Sequence, residues 1–306
     1  MRIAHISDLH LCAKHKRENI SKIKRLIKHA LDNGAQHFVF TGDISDNSNE
    51  KDFVLFREIL KKYDLLRSDK STIVIGNHDI FGGPQTAQDV LNFPSKCINT
   101  NYHEKVANFI EHFKELFEGT IRTHDELFFP FAKVFKDVLL VGLNSNAEYS
   151  RLKNPFASNG HVSKIQRRFL KTILGKNEYD GKVKIVLTHH HFYQKDVASH
   201  SSEGSMWNKI ENYTMKLRGK KKLLKLFIEH NVKLVLHGHS HEMKEYFRDG
   251  IRFVNSGGSI DNNIKAGESL FMIDAFPFEI AAEISAPNSN SGTISDSEKI
   301  IVSLAS

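Results

Sequence analysis

Five short apolar runs in this chain each end in aspartate, asparagine or histidine, and this recurrence constrains the fold more than any other feature. Asp8 and His10 close Arg2-Ile3-Ala4-His5-Ile6-Ser7-Asp8-Leu9-His10, and Asp43 closes His37-Phe38-Val39-Phe40-Thr41-Gly42-Asp43. Asn77 and His78 follow Thr72-Ile73-Val74-Ile75-Gly76, His189 follows Val183 to Thr188, and His239 and His241 follow Val232 to Gly238. Each run has the length and β-branched content of a buried strand. In an open α/β sheet, ligands bind outside the carboxyl ends of the strands. The expectation is that five strands deliver oxygen and nitrogen donors to one edge of one sheet, as a metal site.

The donor types support this reading. Asp8 and His10 are two apart, so on a strand they would share a face and chelate one cation. Gly42-Asp43 puts a carboxylate, able to bridge two cations, on a turn where glycine permits close approach of backbone. Gly76-Asn77-His78-Asp79 supplies an amide oxygen beside an imidazole, and Gly238-His239-Ser240-His241 presents two imidazoles from one loop. In His189-His190-His191 the first histidine, at the strand's end, is the expected ligand. On an extended segment His191 would approach the site and His190 would point away.

The ordered blocks D-x-H, G-D, G-N-H-D, H and G-H-x-H resemble the calcineurin-like metallophosphoesterase superfamily, from Asp8 to the strand after Gly250. The resemblance implies an α/β, four-layer αββα fold: two stacked mixed β-sheets flanked by helices, with an inserted cap. It implies one metal held by Asp8, His10, Asp43 and His241 and a second held by Asp43, Asn77, His189 and His239, with Asp43 bridging. Oxygen and imidazole donors without thiolate suit Mn, Fe, Co or Zn. The implied reaction is in-line attack of a metal-held hydroxide on phosphorus. His78 would contact the phosphoryl oxygen or protonate the leaving alkoxide, and Asp79 would orient its ring. Ile6-Ser7-Asp8-Leu9-His10 with G-N-H-D looks like the branch of cyclic-nucleotide and glycerophosphodiester phosphodiesterases. UDP-diacylglucosamine pyrophosphatases of lipid A synthesis share these motifs, and a nuclease is a third option. Phosphoprotein phosphatases fit less well, because Asp43 is followed by Ile44-Ser45-Asp46 without the Arg-Gly usual there, and His78 by Asp79 rather than glutamate. Some superfamily members keep the fold as a non-catalytic scaffold after losing ligands, whereas every expected ligand is present here.

The rest of the chain bounds this picture. Its 306 residues, 40% hydrophobic and 26% charged, suit one large soluble domain. The net charge of +7 favours anionic partners: a phosphorylated small molecule, nucleotide or lipid-linked. Nucleic-acid binding rests on charge alone, and peripheral contact with an acidic membrane stays open. The stretch before Asp8 is too short for a signal peptide, and no apolar run reaches the ~18 residues of a spanning helix, so a cytoplasmic location is expected. Cys12 and Cys97 are read as small reduced thiols rather than a disulfide framework. The catalytic domain is expected over 1–286, with a cap at 82–130 whose aromatics wall the substrate or pack the insertion, and a flexible tail at 287–306 with a weakly docking apolar end. Helices are predicted over Asn19 to Leu31, Phe53 to Tyr63, Tyr102 to Phe117, Gly160 to Leu174 and Lys220 to His230, and turns at Phe81 to Pro84 and Phe93-Pro94. The basic run Lys216 to Lys222 is read as a solvated helix start. His5 and His237 are read as core residues, and His103, His112 and His124 as surface. His161 and His200 are within conceivable reach of substrate.

Overall fold

Strands that are apolar on successive residues bury both faces, and this chain builds two sheets of that kind. The computed structural model describes residues 1–13, 17–84, 87–123, 127–192, 215–260, 268–277, 279–287 and 302–303. The first sheet orders β15 (Val302–Ser303), β14 (Glu279–Ser285), β13 (Leu270–Phe276), β1 (Arg2–Ile6), β2 (His37–Phe40) and β3 (Ser71–Ile73). Within it β1, β2 and β3 are parallel, and β13 runs antiparallel to β1. The second sheet orders β11 (Met243–Arg248), β12 (Ile251–Ser256), β10 (Val232–His237), β8 (Val183–Leu187), β6 (Val138–Gly142), β5 (Phe131–Val134) and β4 (Ile121–Arg122). Its central strands β6, β8, β10 and β12 are parallel. A small ribbon pairs β7 (Gly160–His161) with β9 (Leu217–Arg218).

Side-chain alternation along β6 shows how the layers join. Val138 and Leu140 enter the core shared with the first sheet, while Leu139 and Val141 face the opposite way. On that opposite face α6 (Lys164–Leu174) and α7 (Lys220–Glu229) contribute Leu170, Ile173, Leu223 and Phe227. On the outside of the first sheet, α1 (Arg17–Asp32) and α2 (Glu50–Lys62) contribute Ile23, Leu26, Phe53 and Phe56. The result is helix, sheet, sheet, helix: the expected four layers. No helix among the described residues is long and apolar enough to cross a membrane.

Three local expectations change. The Phe93-Pro94 turn is instead the middle of α4 (Ala87–Asn99), which follows the short α3 (Asn77–Ile80). Phe93 and Cys97, four apart, bury one helical face, and that packing outweighs the backbone donor lost at Pro94. The helix predicted from Gly160 starts only at Lys164, where Ser163 Oγ accepts the amide of Gln166; Gly160 and His161 pair as strand. In the inserted region, α5 (Tyr102–His112) and a 3-10 turn at Lys114–Phe117 replace one long helix. Phe109 and Phe113 pack edge-on against Phe53 and Phe56 of α2, so these aromatics fasten the insertion to the body. Val302–Ser303 adds a backbone strand to β14.

Candidate metal centre

The parallel strands of both sheets point their carboxyl ends to one edge, and the expected residues gather there. The single sheet of the sequence reading becomes two, because Asp8, His10, Asp43, Asn77 and His78 follow strands of the first sheet whereas His189, His239 and His241 follow strands of the second. Nor do the Asp8/His10 and His239/His241 pairs converge by strand alternation. Asp8, His10, Asp43, His239 and His241 all lie beyond their strands at positive φ, between 41° and 75°. Left-handed backbone at non-glycine residues is costly, and its clustering at one place is typical of functional sites.

The strand ends are stitched together by backbone. The amide of Asp8 donates to Gly42 O, that of His10 to Asp43 O, and that of His239 to both carboxylate oxygens of Asp8, at 3.1 Å each. Gly76 and Gly238 are required by closeness: a Cβ on Gly76 would collide with Asp43, and one on Gly238 with Ser7 Oγ and Asp8 Oδ2.

Two donor clusters result. In one, His10 Nε2 and His241 Nε2 face each other at 3.0 Å, with Asp8 Oδ1 3.6 Å from His241 Nε2. In the other, His189 Nε2 meets Asn77 Oδ1 at 3.0 Å, His239 Nδ1 at 3.1 Å and Asp43 Oδ2 at 3.3 Å. Asp43 Oδ2 also lies 4.0 Å from His10 Nε2, so its carboxylate stands between the clusters. The ring proton of His189 is placed by Thr41 O, which accepts from Nδ1 at 2.8 Å. With that proton on Nδ1, His189 Nε2, Asn77 Oδ1 and Asp43 Oδ2 converge on a position that stabilises positive charge, whether a second ring proton or a cation. The field agrees. Burial opposes charge on His189, yet Asp43 and Asp8 outweigh it and raise its pKa to about 9. Burial likewise pushes Asp43 toward neutrality, but His189, His78 and His10 hold it well below the usual carboxylate range. These oxygen and imidazole donors, buried except for the half-exposed His241, sit in an anionic pocket and fit divalent or trivalent cations.

His78 sits at the rim, with a quarter of its side chain exposed. Its amide donates to Asp43 Oδ1 at 2.8 Å, and its ring packs edge-on against His10 at 4.7 Å between centroids. Asp79 does not orient that ring. The sequence turns into α3 at Asn77, which sends Asp79 inward, where its oxygens accept the amides of Ser45 and Gly76 at 2.9 Å each. Burial, with Asp43 nearby, lifts the Asp79 pKa to about 7. The group beside the His78 ring is Asp46, whose backbone oxygen lies 3.1 Å and carboxylate 3.6 Å from Nδ1; Asp46 also lies 3.3 Å from His10 Nδ1. Burial again opposes the charge, and Asp43 and Asp46 prevail to raise His78 to about 9. The sequence reading passed over Asp46, although its place three residues after Asp43 was a visible signal.

Ser145, at the end of β6, was also missed: its Oγ accepts the amides of His189 and His190 and lies 2.9 Å from His190 Nδ1. His190 is buried with its ring 4.4 Å from that of His239, so it backs the cluster instead of pointing away, and the His191 ring lies farther, at 6.0 Å. His5 and His237 are buried in strands. His161 is exposed on β7, and His124 and His200 lie outside the described residues.

A model of the calcineurin-like phosphoesterase family matches residues 1–243. A search of curated proteins found no match. Among solved structures, a dimetal phosphatase from Danio rerio aligns over 94% of this chain and 96% of its own, with TM-score 0.57 and 11% identity. A purple acid phosphatase from yellow lupin (Lupinus luteus) aligns over 97% of this chain and 52% of its own, with TM-score 0.60 and 12% identity. The anchor in the inner membrane complex of Plasmodium aligns over 94% and 85%, with TM-score 0.50 and 15% identity. At such identities these likenesses concern the fold alone.

Proposed function

This chain belongs to the calcineurin-like phosphoesterase family, and within it we propose a two-metal phosphodiesterase acting on a small phosphodiester such as a nucleotide. The observation that carries this reading is the Asp43 carboxylate, set between two donor clusters, one buried and one opening to solvent at His241, with His78 at their rim. In this reading Asp8, His10, Asp43 and His241 hold one cation, and Asp43, Asn77, His189 and His239 hold the other. Bound cations supply Lewis-acid chemistry, polarising a phosphoryl group and acidifying water. The protein's own residues do the rest. Thr41 O holds the His189 proton on Nδ1, and Asp8 anchors the loop of His239 through two backbone hydrogen bonds. Asp46 holds Nδ1 of His78, leaving Nε2 to give a proton to the leaving alkoxide. Asp79 secures the turns that carry Asp43 and Asn77.

The preference for a diester rests on the sequence blocks around Asp8 and Asn77, and a rate comparison tests it. The metal-loaded protein should hydrolyse bis-p-nitrophenyl phosphate faster than p-nitrophenyl phosphate. Faster turnover of the monoester would overturn the diester assignment while leaving the two-metal site standing.

A further inference from the structure

The two most exposed large apolar side chains among the described residues are Leu152, at 86%, and Leu91, at 75%. Both belong to segments at the edge that carries the candidate metal centre. Leu91 lies on α4, joined through Gly83 to α3; a Cβ on Gly83 would collide with the His78 ring. Leu152 lies in the loop after β6, whose first turn is fixed by Asn146 Nδ2 donating to Ile75 O, the residue before Gly76. Tyr102, three residues after α4, donates its hydroxyl to Asn146 O, which ties the start of this loop to the chain that follows α4. Val90 and Ile98 on α4 and Phe156 in the loop are also exposed. Single exposed apolar residues are ordinary, but Leu152 and Phe156 stand four apart in one short loop beside the site, and such a patch marks a contact surface.

The loop reads Arg151-Leu152-Lys153-Asn154-Pro155-Phe156, and its build shows that the apolar tip is held outward. Asn154 is buried at its base, where Nδ2 donates to the carbonyls of Ala147 and Glu148 and Oδ1 accepts the amide of Asn159. Arg151 and Lys153 flank Leu152, and among the described residues neither side chain forms an ion pair. Apolar tips bracketed by unpaired cations complement one surface in particular: an anionic bilayer, where the side chains enter the headgroup boundary and the cations meet lipid phosphates.

We propose that the Arg151–Phe156 loop docks this edge of the protein on an anionic lipid surface. The inference is independent of which phosphoester the centre hydrolyses. Its test is co-sedimentation of the full chain with vesicles of phosphatidylcholine alone and of phosphatidylcholine with phosphatidylglycerol. The wild-type protein should pellet with the mixed vesicles, remain in solution with the neutral ones, and be released by salt. Leu152→Asp/Phe156→Asp and Arg151→Gln/Lys153→Gln should each lower the partition coefficient at least about tenfold, with thermal midpoints unchanged because these side chains are exposed. Wild type that ignores anionic vesicles, or binding that survives both double variants, overturns the proposal. So does a concentration-dependent dimer that the Leu152/Phe156 variant abolishes, since the patch would then be a self-association surface. A misfolded aspartate variant leaves the glutamine variant and the salt dependence to decide.

Discussion

Replacing His78 by alanine removes the imidazole but keeps the amide that donates to Asp43 Oδ1, so the expected loss is of turnover and not of metal. A general acid contributes about 10²–10⁴-fold, and His78→Ala should lose that much while elemental analysis finds both ions. Loss of an ion in that variant would make His78 a ligand. Its neighbour Asp79 has a different duty. Asp79→Ala strands two buried amides, of Ser45 and Gly76, and should lower stability by about 2–4 kcal/mol in urea unfolding. A stable but inactive Asp79→Ala would return Asp79 to the chemistry. Buried histidines that are not ligands in this reading, His5 and His37 among them, give stability a pH dependence. Burial alone depresses His5 from 6.5 to about 3, and burial with Lys133 nearby depresses His37 likewise. Between those values the unfolded chain binds protons that the native one refuses. Their contribution to stability is therefore complete above pH 6.5 and is lost as pH falls toward 3, at up to about 1.4 kcal/mol per pH unit for each histidine. His5→Gln should flatten this acid limb in urea unfolding from pH 7 to 4.5; an unchanged limb would refute the assignment.

At the scale of elements, the centre depends on how strands end. The turn after β10 passes so close to Ser7 and Asp8 that only a hydrogen fits at Gly238. Gly238→Ala should push the turns after β1 and β10 apart, costing about 1–3 kcal/mol and weakening metal binding. Wild-type stability and metal content in that variant would show that the two turns do not meet so closely. These turns also explain what was legible in the sequence and what was not. Apolar runs ending in Asp8, Asp43, Asn77, His189 and His239 identified the strand ends, because buried parallel strands need unbroken apolar sequence. The left-handed φ at Asp8 and His10 was not legible, since it is imposed by backbone pairing with Gly42 and Asp43 from another strand. α4 was hidden because Pro94 is a local breaker while the Phe93/Cys97 packing that overrides it is tertiary. Asp79 was misread for a related reason: adjacency to His78 suggested contact, but a helical turn separates their directions.

For the whole molecule, the arrangement that matters is two sheets whose carboxyl ends meet at one seam. Helix-flanked, mostly parallel strands were readable from element order and apolar content, whereas the stacking of two sheets into four layers was implied by the family resemblance alone. Which sheet supplied which ligand was not legible, because strand order within a sheet is a long-range property. The seam makes ligand assembly a test of the global fold, with Asp43 at its middle. The most direct measurement is metal stoichiometry by elemental analysis of the wild-type protein and Asp43→Ala, each reconstituted with manganese and freed of loose ions. Two ions per chain in the wild type and at most one in the variant, with hydrolysis abolished, are the predicted result. Two ions retained without Asp43, or none bound by the wild type, would contradict the bridged two-metal centre.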